Sequence, residues 1–288
     1  MLATRPATSE DEPVSSVLFL VHPDRPHAKD LADVARSWWH ARGYDVIDAA
    51  DETRSHERAC DFAVSFGGDG TMLRALEQAI PARIPVLGIN LGRMGYLTQI
   101  EPAGMTAAFE RMFAGDFALE ERMALKARIL DLAGTPRPGA SFYAVNEAIV
   151  ERVSPGHTIR VAVGIGGEKF LTFVADGLLV CTPTGSTAYN LSARGPVVSP
   201  RLRALILTFV APHLVFDRSL VLSPEEVISL TVTAGRPAAL VVDGSRTWPL
   251  AEGDTVVCSA AEIPAVFVVL GHRDFHAVLR SRFSLADR

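Results

Sequence analysis

FAVSFGGDGTM, residues 62–72, joins a short apolar run to a helical pattern and places three glycines around one carboxylate. The apolar, partly β-branched start is typical of a buried parallel strand. After the turn, apolar residues recur at helical spacing: Met72, Leu73, Leu76 and Ile80. Glycine permits positive φ and close backbone approach to a ligand, and a helix N-terminus attracts phosphate. A plain tight turn with Asp69 as helix N-cap is the alternative, and these residues alone do not decide between them.

Strand and helix patterns alternate around this turn. Residues 16–22, 44–49 and 84–89 have the composition of further strands, and a helix near 28–42 follows the first. Alternating strands and helices predict a parallel, doubly wound sheet over roughly 16–118. The glycine turn would then lie at the carboxyl edge of that sheet, where such sheets bind ligands.

The pattern changes near residue 120, after which β-type runs follow one another with turn signals between them. These runs are 125–133, 144–152, 158–165, 169–181, 204–210, 227–234, 238–244, 255–261 and 265–270. We therefore predict an α/β N-terminal domain with a Rossmann-like parallel sheet and an all-β, sandwich-like C-terminal domain. The predicted division is a disordered tail (1–15), the α/β domain (16–119), the β-rich domain (120–272), and a helix at about 273–288 that can pack back on the first domain.

Composition excludes several classes of protein. The net charge of −5 over 288 residues argues against a nucleic-acid partner. Three distant cysteines without zinc spacing indicate neither a disulfide framework nor a zinc site. The polar N-terminus lacks the apolar core of a signal peptide, and no apolar run approaches the roughly 18–20 residues that span a bilayer. We expect a cytoplasmic protein with no membrane partner.

Four other stretches carry candidate site residues. In 88–98, Asn90 is able to hydrogen-bond a ligand and Tyr96 to stack on a base, unless Tyr96 is a core residue. In 145–152, Asn146 and Glu147 are adjacent, so the chain must bend if both touch one ligand; surface residues are the simpler interpretation. Residues 175–200 are rich in hydroxyls and follow Asp176, as in loops that bind phosphates or sugars. Residues 241–250 predict a hairpin turn at Asp-Gly.

GGDGT after a strand, GxxGxLT in the next loop, NE in the β domain and then DGLxxxTPTGSTAYxLSxxGP, in this order, resemble the NAD kinase family over about 16–285. The long TPTGSTAY block is specific. GGDGT by itself occurs in diacylglycerol and sphingosine kinases and phosphofructokinases and indicates only the broader superfamily. Neither a P-loop nor the protein-kinase motif set is present.

The resemblance implies phosphorylation of the adenosine-ribose 2′-hydroxyl of NAD by ATP or polyphosphate, with Asp69 as general base. It further implies a Mg²⁺ or Mn²⁺ requirement and a homodimer or homotetramer. No metal-ligating residues are predicted, because no carboxylate cluster is visible. The NAD-contacting residues implied by similarity are Asp69, Gly70, Arg74, Asn146, Glu147, Asp176, Thr187, Ala188, Tyr189, Asn190, Leu191 and Ser192. Gly67, Gly68 and Thr71 form the expected phosphate-donor loop.

Two departures from the family pattern affect these expectations. Tyr96 stands where many members have Phe, a mild change if the ring stacks. Ser245 stands where many have Gln after the Asp-Gly turn, and its shorter side chain cannot make the same reach. Two alternatives stay open on the residues: a lipid or sphingoid-base kinase, which would need an apolar substrate pocket, and a non-catalytic dinucleotide-binding regulator, which would not need Asp69.

Overall fold

Eighteen strands, five α-helices and three short 3-10 helices are found in the described residues of the computed structural model, which are 15–50, 60–92, 95–213, 216–233, 236–271 and 274–283. The strands are β1 (Ser16–Val21), β2 (Asp45–Asp48), β3 (Phe62–Gly67), β4 (Val86–Asn90), β5 (Ala118–Arg122), β6 (Leu125–Leu130), β7 (Pro136–Ala144), β8 (Glu147–Arg152), β9 (Ile159–Ile165), β10 (Glu168–Ala175), β11 (Gly177–Cys181), β12 (Leu205–Val210), β13 (Leu220–Leu222), β14 (Ile228–Val232), β15 (Ala238–Val242), β16 (Arg246–Leu250), β17 (Thr255–Ala260) and β18 (Ala265–Val269). The helices are α1 (Pro26–His40), α2 (Asp69–Ala79), α3 (Met105–Phe113), α4 (Tyr189–Ser192) and α5 (Phe275–Arg282).

The chain forms two compact units, Met1–Glu121 with Val266–Arg288, and Arg122–Ala265. They are called the first and the second unit below. Of the predicted 1–15 tail, only Ser15 lies within the described residues, and of the predicted 273–288 helix only 274–283 do.

The first unit contains a six-stranded sheet in the order β2-β1-β3-β4-β18-β5. Strands β1 to β4 pair in parallel with their neighbours, as does β18 with β4. Strand β3 is buried along nearly its whole length because both faces of a wound sheet are covered. Helices α1 and α3 cover one face through Trp39 and Phe109. Helix α2 packs on β3 and β4 and buries Met72 and Leu76.

The second unit is a sandwich of two six-stranded antiparallel sheets, in the orders β10-β9-β14-β17-β6-β7 and β13-β12-β11-β8-β15-β16. One apolar cluster lies between them and takes side chains such as Leu230 from the first sheet and Leu178 from the second. Alternate side chains of β8, β11 and β12 point to the other face, where Ile149, Leu179 and Ile206 are covered by the segment around Val198. The hydroxyl-rich segment therefore forms the outer wall of this sheet.

Several stretches differ from the sequence prediction: β5 and β13 were not predicted, and the run 169–181 forms two strands, β10 and β11. Residues 265–270 were assigned to the β-rich domain, but β18 pairs with β4 in the parallel sheet. Its continuous apolar character suits a buried parallel strand equally well. Residues 134–140 lie between the predicted runs 125–133 and 144–152, where turn signals were expected, but Pro136 begins strand β7. Strand β7 lies at a sheet edge, where proline removes no hydrogen bond that a neighbouring strand needs.

Among the described residues, no helix is both long and apolar enough to cross a membrane.

Candidate active site

The Asp69 carboxylate lies at the carboxyl edge of the parallel sheet, on the first residue of helix α2. It accepts hydrogen bonds from three consecutive backbone N–H groups: Tyr96 to Oδ2 at 2.8 Å, and Leu97 and Thr98 to Oδ1 at 3.0 and 3.3 Å. The Thr98 hydroxyl adds a fourth donor to Oδ1 at 3.4 Å. Asp69 is therefore not the helix N-cap of the alternative interpretation, because Gly68 occupies that position. Its carboxylate instead ties the turn after β3 to the loop after β4.

The glycines of this turn matter because they lack a side chain, not because they adopt dihedral angles that other residues avoid. Gly67, Gly68 and Gly70 do not have positive φ, contrary to one of the two roles expected of them. A side chain on Gly67 would collide with Thr71, whereas Gly68 and Gly70 have open space where a Cβ would stand. The second expected role, close backbone approach by a ligand, is compatible with that open space.

Three buried polar atoms at this edge have no hydrogen-bond partner among the described residues: the Thr71 hydroxyl, Asn90 Oδ1 and the Tyr96 hydroxyl. The Asn90 amide is oriented by the bond from Nδ2 to the Gly92 carbonyl at 3.1 Å. The Arg282 guanidinium covers the Tyr96 ring at 5.4 Å from its centroid. Burial raises the pKa of Tyr96, Arg282 lowers it and Asp69 raises it. Arg74 is half-buried and has no hydrogen bond or ion pair to a described residue.

The second unit contains a bend at Val145 and Asn146, just before β8. Asp243 holds the bend by accepting the N–H groups of Val145, Asn146 and Glu147 at 2.8, 2.9 and 3.0 Å. Asp243 and Gly244 both have positive φ and form the turn of the β15–β16 hairpin, as the sequence predicts. Ser245 is exposed in the same turn.

Glu147 is a buried carboxyl, 7% exposed, and its Oε2 has no hydrogen-bond partner among the described residues. The pKa of Glu147 is raised to about 8, first by burial and then by the negative charge of Asp243, whereas the hydrogen bond from the Tyr189 backbone N–H opposes the shift. Near neutral pH the group is largely a neutral acid, which is able to donate a hydrogen bond.

Much of the hydroxyl-rich segment makes hydrogen bonds within the unit. Thr182 donates its hydroxyl to the Val145 carbonyl at 2.5 Å, and Ser186 donates to Val198 at 3.0 Å. The Asn190 side chain is fully buried: Nδ2 donates to the Ser186 and Pro196 carbonyls at 3.1 and 3.0 Å, and Oδ1 accepts from the Thr208 hydroxyl at 2.6 Å. These side chains shape the segment from inside.

Other predicted NAD contacts lie nearer the surface. Tyr189 is 38% exposed, Ser192 is exposed, and Thr187, Ala188 and Leu191 are half-buried. Asp176 pairs with Arg152, whose Nε lies 3.0 Å from Oδ1 and whose Nη2 lies 3.2 Å from Oδ2. Burial, together with Glu151 and Asp176, raises the pKa of Tyr189. The accessible Tyr189 therefore lies near Asp176, a carboxylate that is paired with Arg152.

Sequence reasoning missed several residues that hold these groups. Thr98 and Gly95 contact Asp69, and a Cβ on Gly95 would come within 2.6 Å of the Asp69 Cγ. Asp243 was recognised only as part of a turn, and Arg152 was not singled out. The available signals were weak: Gly95 belongs to the glycine-rich loop, and Asp243 precedes a glycine. In the part of the chain that the structure describes, no group of three or more His, Cys, Asp or Glu residues is arranged to hold a metal ion.

A parallel sheet that presents GGDGT at its carboxyl edge, in one chain with an antiparallel sandwich that carries the NE bend, defines a phosphotransferase of the GGDGT class. Residues 35–117 match the family model described as the ATP-NAD kinase N-terminal domain, and 145–270 match the ATP-NAD kinase C-terminal domain. The chain belongs to the NAD kinase family.

Individual relatives agree with this assignment. The chain is 39% identical to the NAD kinase of Heliobacterium modesticaldum over 93% of this chain and 98% of that protein. It is 36% identical to the NAD kinase of Wolinella succinogenes over the full length of both. An NAD kinase from Archaeoglobus fulgidus, solved in complex with ATP, superposes with a TM-score of 0.73 at 27% identity, covering 94% of this chain and 99% of that one.

Yeast NADH kinase, solved with NADH, has the same fold, with a TM-score of 0.82 at 20% identity over 96% of this chain and 89% of that one. The matches together confirm the predicted family, fold class and NAD kinase activity. They do not support the lipid-kinase and regulator alternatives.

Proposed function

We propose that this NAD kinase transfers the terminal phosphoryl group of ATP, or of polyphosphate, to the 2′-hydroxyl of the adenosine ribose of NAD. The observation that supports this mechanism is that hydrogen bonds from residues 96–98 fix the carboxylate of Asp69. In the part of the chain that the structure describes, Oδ1 accepts three hydrogen bonds and Oδ2 accepts one, from the Tyr96 N–H. Oδ2 therefore keeps a lone pair with which to accept a proton.

In the proposed reaction, Asp69 takes the proton of the 2′-hydroxyl as the ribose oxygen bonds to the terminal phosphorus. The bond from that phosphorus to the bridging oxygen breaks, and ADP or a shortened polyphosphate leaves. The donors from residues 96–98 keep the carboxylate in one orientation, which is the positioning such a transfer requires. Gly67, Gly68 and Thr71 form the proposed donor loop, and Gly70 and Arg74 lie next to it.

The proposed acceptor-binding residues lie in the second unit. Asn146 and Glu147 are presented by the bend that Asp243 holds, and a neutral Glu147 is able to donate to an oxygen or nitrogen of the dinucleotide. Asp176, Tyr189 and the accessible part of 187–192 complete the set. The buried Asn190 side chain is expected to act on this set from within the unit rather than by touching NAD.

We propose a requirement for Mg²⁺ or Mn²⁺ held mainly by the donor phosphates. The residues present fit such an ion, because Asn90 Oδ1 is a buried, oriented oxygen acceptor without a partner among the described residues. Asn90 would hold the ion or one of its waters. When bound, the metal neutralises charge on the transferred phosphoryl group.

The test is NADP formation from NAD, followed with an NADP-specific dehydrogenase, with ATP and with polyphosphate as donors. We expect turnover with Mg²⁺ or Mn²⁺ and none in EDTA. Absence of NADP with every donor and metal would reject the proposed reaction, and full turnover in EDTA would reject the metal requirement.

We also propose that the protein works in the cytoplasm as a homodimer or homotetramer. Phe170 and Leu171, on the edge strand β10, and the neighbouring Phe216 are partly exposed, as side chains that meet a second copy would be. Sedimentation equilibrium of the wild type and of Phe170→Ser tests the assembly. A wild-type monomer at micromolar concentration would reject it.

A further inference from the structure

The segment between β1 and α1 lies beside the glycine turn. The His22 N–H donates to the Phe66 carbonyl at 3.0 Å, so the chain leaves β1 next to the end of β3. In the sheet, β1 lies between β2 and β3. The chain passes from β1 to β2 on one side and then to β3 and β4 on the other side, so the strand order reverses between β1 and β3. Ligands of open parallel sheets bind in the crevice at such a switch point.

Arg25, in this segment, reaches the loop after β4. Its Nη1 donates to the Leu91 carbonyl at 2.9 Å, and the Leu91 N–H donates to the Gly67 carbonyl at 3.0 Å. A Cβ on Gly92 would lie 3.5 Å from the same Nη1. The guanidinium is therefore anchored over the backbone that holds the first glycine of the turn.

The anchored guanidinium keeps most of its hydrogen-bonding capacity. Arginine has five N–H donors, and the bond to Leu91 is the only one that Arg25 forms with a described residue. The side chain is exposed and forms no ion pair with Asp24 within the described ranges. A positive charge fixed at one corner with free donors is suited to an anion that arrives from solvent.

Two independent observations at the same edge favour a ligand there. The Thr71 hydroxyl and Asn90 Oδ1 are buried, on residues 2% and 4% exposed, and have no partner among the described residues. Thr71 packs against Gly67, and Asn90 pairs with Gly67 across β3 and β4. Helix α1 also begins directly after Arg25 with no acidic residue in its first turn and no side-chain cap.

We propose that Arg25 binds the phosphate chain of the phosphoryl donor, as a donor-specific residue outside the GGDGT turn. The proposal rests on the proposed kinase reaction, since it assigns the donor side of that reaction. It predicts that Arg25 recognises the polyanion shared by ATP and inorganic polyphosphate rather than the adenine base, and that it makes no contribution to NAD binding.

The experiment compares wild type, Arg25→Ala, Arg25→Gln and the control Arg83→Gln. Glutamine removes the charge but keeps an N–H donor for Leu91. Arg83 is an exposed arginine in the turn before β4, at the opposite edge of the sheet. The measurements are the KM for ATP, the KM for NAD, inhibition by inorganic tripolyphosphate, and calorimetric binding of ATP with Mg²⁺ in the absence of NAD.

We expect both Arg25 variants to raise the ATP KM and the tripolyphosphate inhibition constant about tenfold or more, the loss typical of a charge-assisted bond. The NAD KM and the Arg83→Gln values should stay within about twofold of wild type. An unchanged ATP KM in Arg25→Gln, or a rise confined to the NAD KM, would overturn the proposal. If the wild type makes no NADP, the proposed function fails, whereas the calorimetric comparison still decides whether Arg25 binds the donor.

Discussion

Asp69 in the first unit and Asp243 in the second make the same pattern of contacts, yet only one is suited to chemistry. Each carboxylate accepts three consecutive backbone N–H groups, from 96–98 and from 145–147 respectively. Asp69 stands on a helix N-terminus beside glycines with open space around them. Asp243 lies in a hairpin turn, and its hydrogen bonds position the backbone of Asn146 and Glu147.

The difference shows that a hydrogen-bond pattern does not by itself identify a catalytic carboxylate. The three N–H bonds position a group in both cases. In the first unit the positioned group is the carboxylate, and in the second it is the backbone that donates to it. Asparagine at either position should cost stability, because each aspartate accepts three N–H groups, but only the change at Asp69 should also lower turnover.

The largest expected effect is that of Asp69→Asn. The amide cannot take the proton of the hydroxyl, so kcat should fall by about 10²–10⁴, or roughly 3–5 kcal/mol of barrier. The lower end is expected because a loose transition state needs little help at the nucleophile. NAD affinity, measured by calorimetry, should stay within a few-fold of wild type. Near-normal kcat would remove Asp69 from the base role.

Gly95→Ala tests whether the orientation of Asp69 matters as much as its presence. The added methyl group would lie within 2.6 Å of the Asp69 Cγ and 2.7 Å of the Thr98 hydroxyl, so the carboxylate must move. A displacement of about 1 Å typically lowers the rate about 10²-fold, and we expect kcat to fall about 10–100-fold. Gly104→Ala is the control, because its Cβ would meet only Ile100 at 3.6 Å. Equal kcat in the two variants would contradict the positioning role.

Asp243→Asn should act on stability and NAD affinity rather than on the chemical step. Asparagine tolerates the positive φ of this position but has one acceptor oxygen for three donors. We expect the free energy of unfolding to fall by about 2 kcal/mol and the NAD KM to rise several-fold, with kcat nearly unchanged. The exposed neighbour Ser245→Ala is the control and should match wild type. A selective loss of kcat in Asp243→Asn would erase the distinction between the two aspartates.

The pH dependence of stability caused by Glu147 tests the second unit in a further way. Its folded pKa of about 8 lies above the ordinary carboxyl value near 4.5, so the folded state holds the proton more tightly than the unfolded state. The stability contribution is complete below about pH 4.5 and is lost as pH rises toward 8, with a slope of up to about 1.4 kcal/mol per pH unit. Urea unfolding between pH 5 and 8 should show this slope in wild type and in the exposed control Glu168→Gln. Glu147→Gln should lack it; an unchanged slope there would mean that another group titrates.

Short sequence patterns predicted those parts of the fold that residues close together in the chain determine. The alternation around FAVSFGGDGTM identified the parallel sheet, and the Asp-Gly pair identified the hairpin of β15 and β16. Strand β18 was assigned to the wrong sheet because an apolar run of this length suits either sheet. Its partner, β4, lies far away in the chain.

The sequence predicts candidate site residues but not the contacts that hold them in place. The donors to Asp69 are 27 to 29 residues away in the chain, and those to Asp243 are 96 to 98 residues away. Nothing in the residue types identifies such backbone partners. Asn190 is a further case: its amide is polar, but three internal partners make burial favourable.

The buried amide of Asn190 also determines when the neighbouring segment becomes ordered. It links the Ser186 and Pro196 carbonyls and the Thr208 hydroxyl, while Val198 covers the outer face of the sheet. The segment is thus ordered by contacts within the sandwich, so a dinucleotide bound there as proposed would meet a surface whose conformational entropy has already been lost. Backbone amides of 186–198 should accordingly exchange with deuterium nearly as slowly without NAD as with it, and association should show no slow ordering phase.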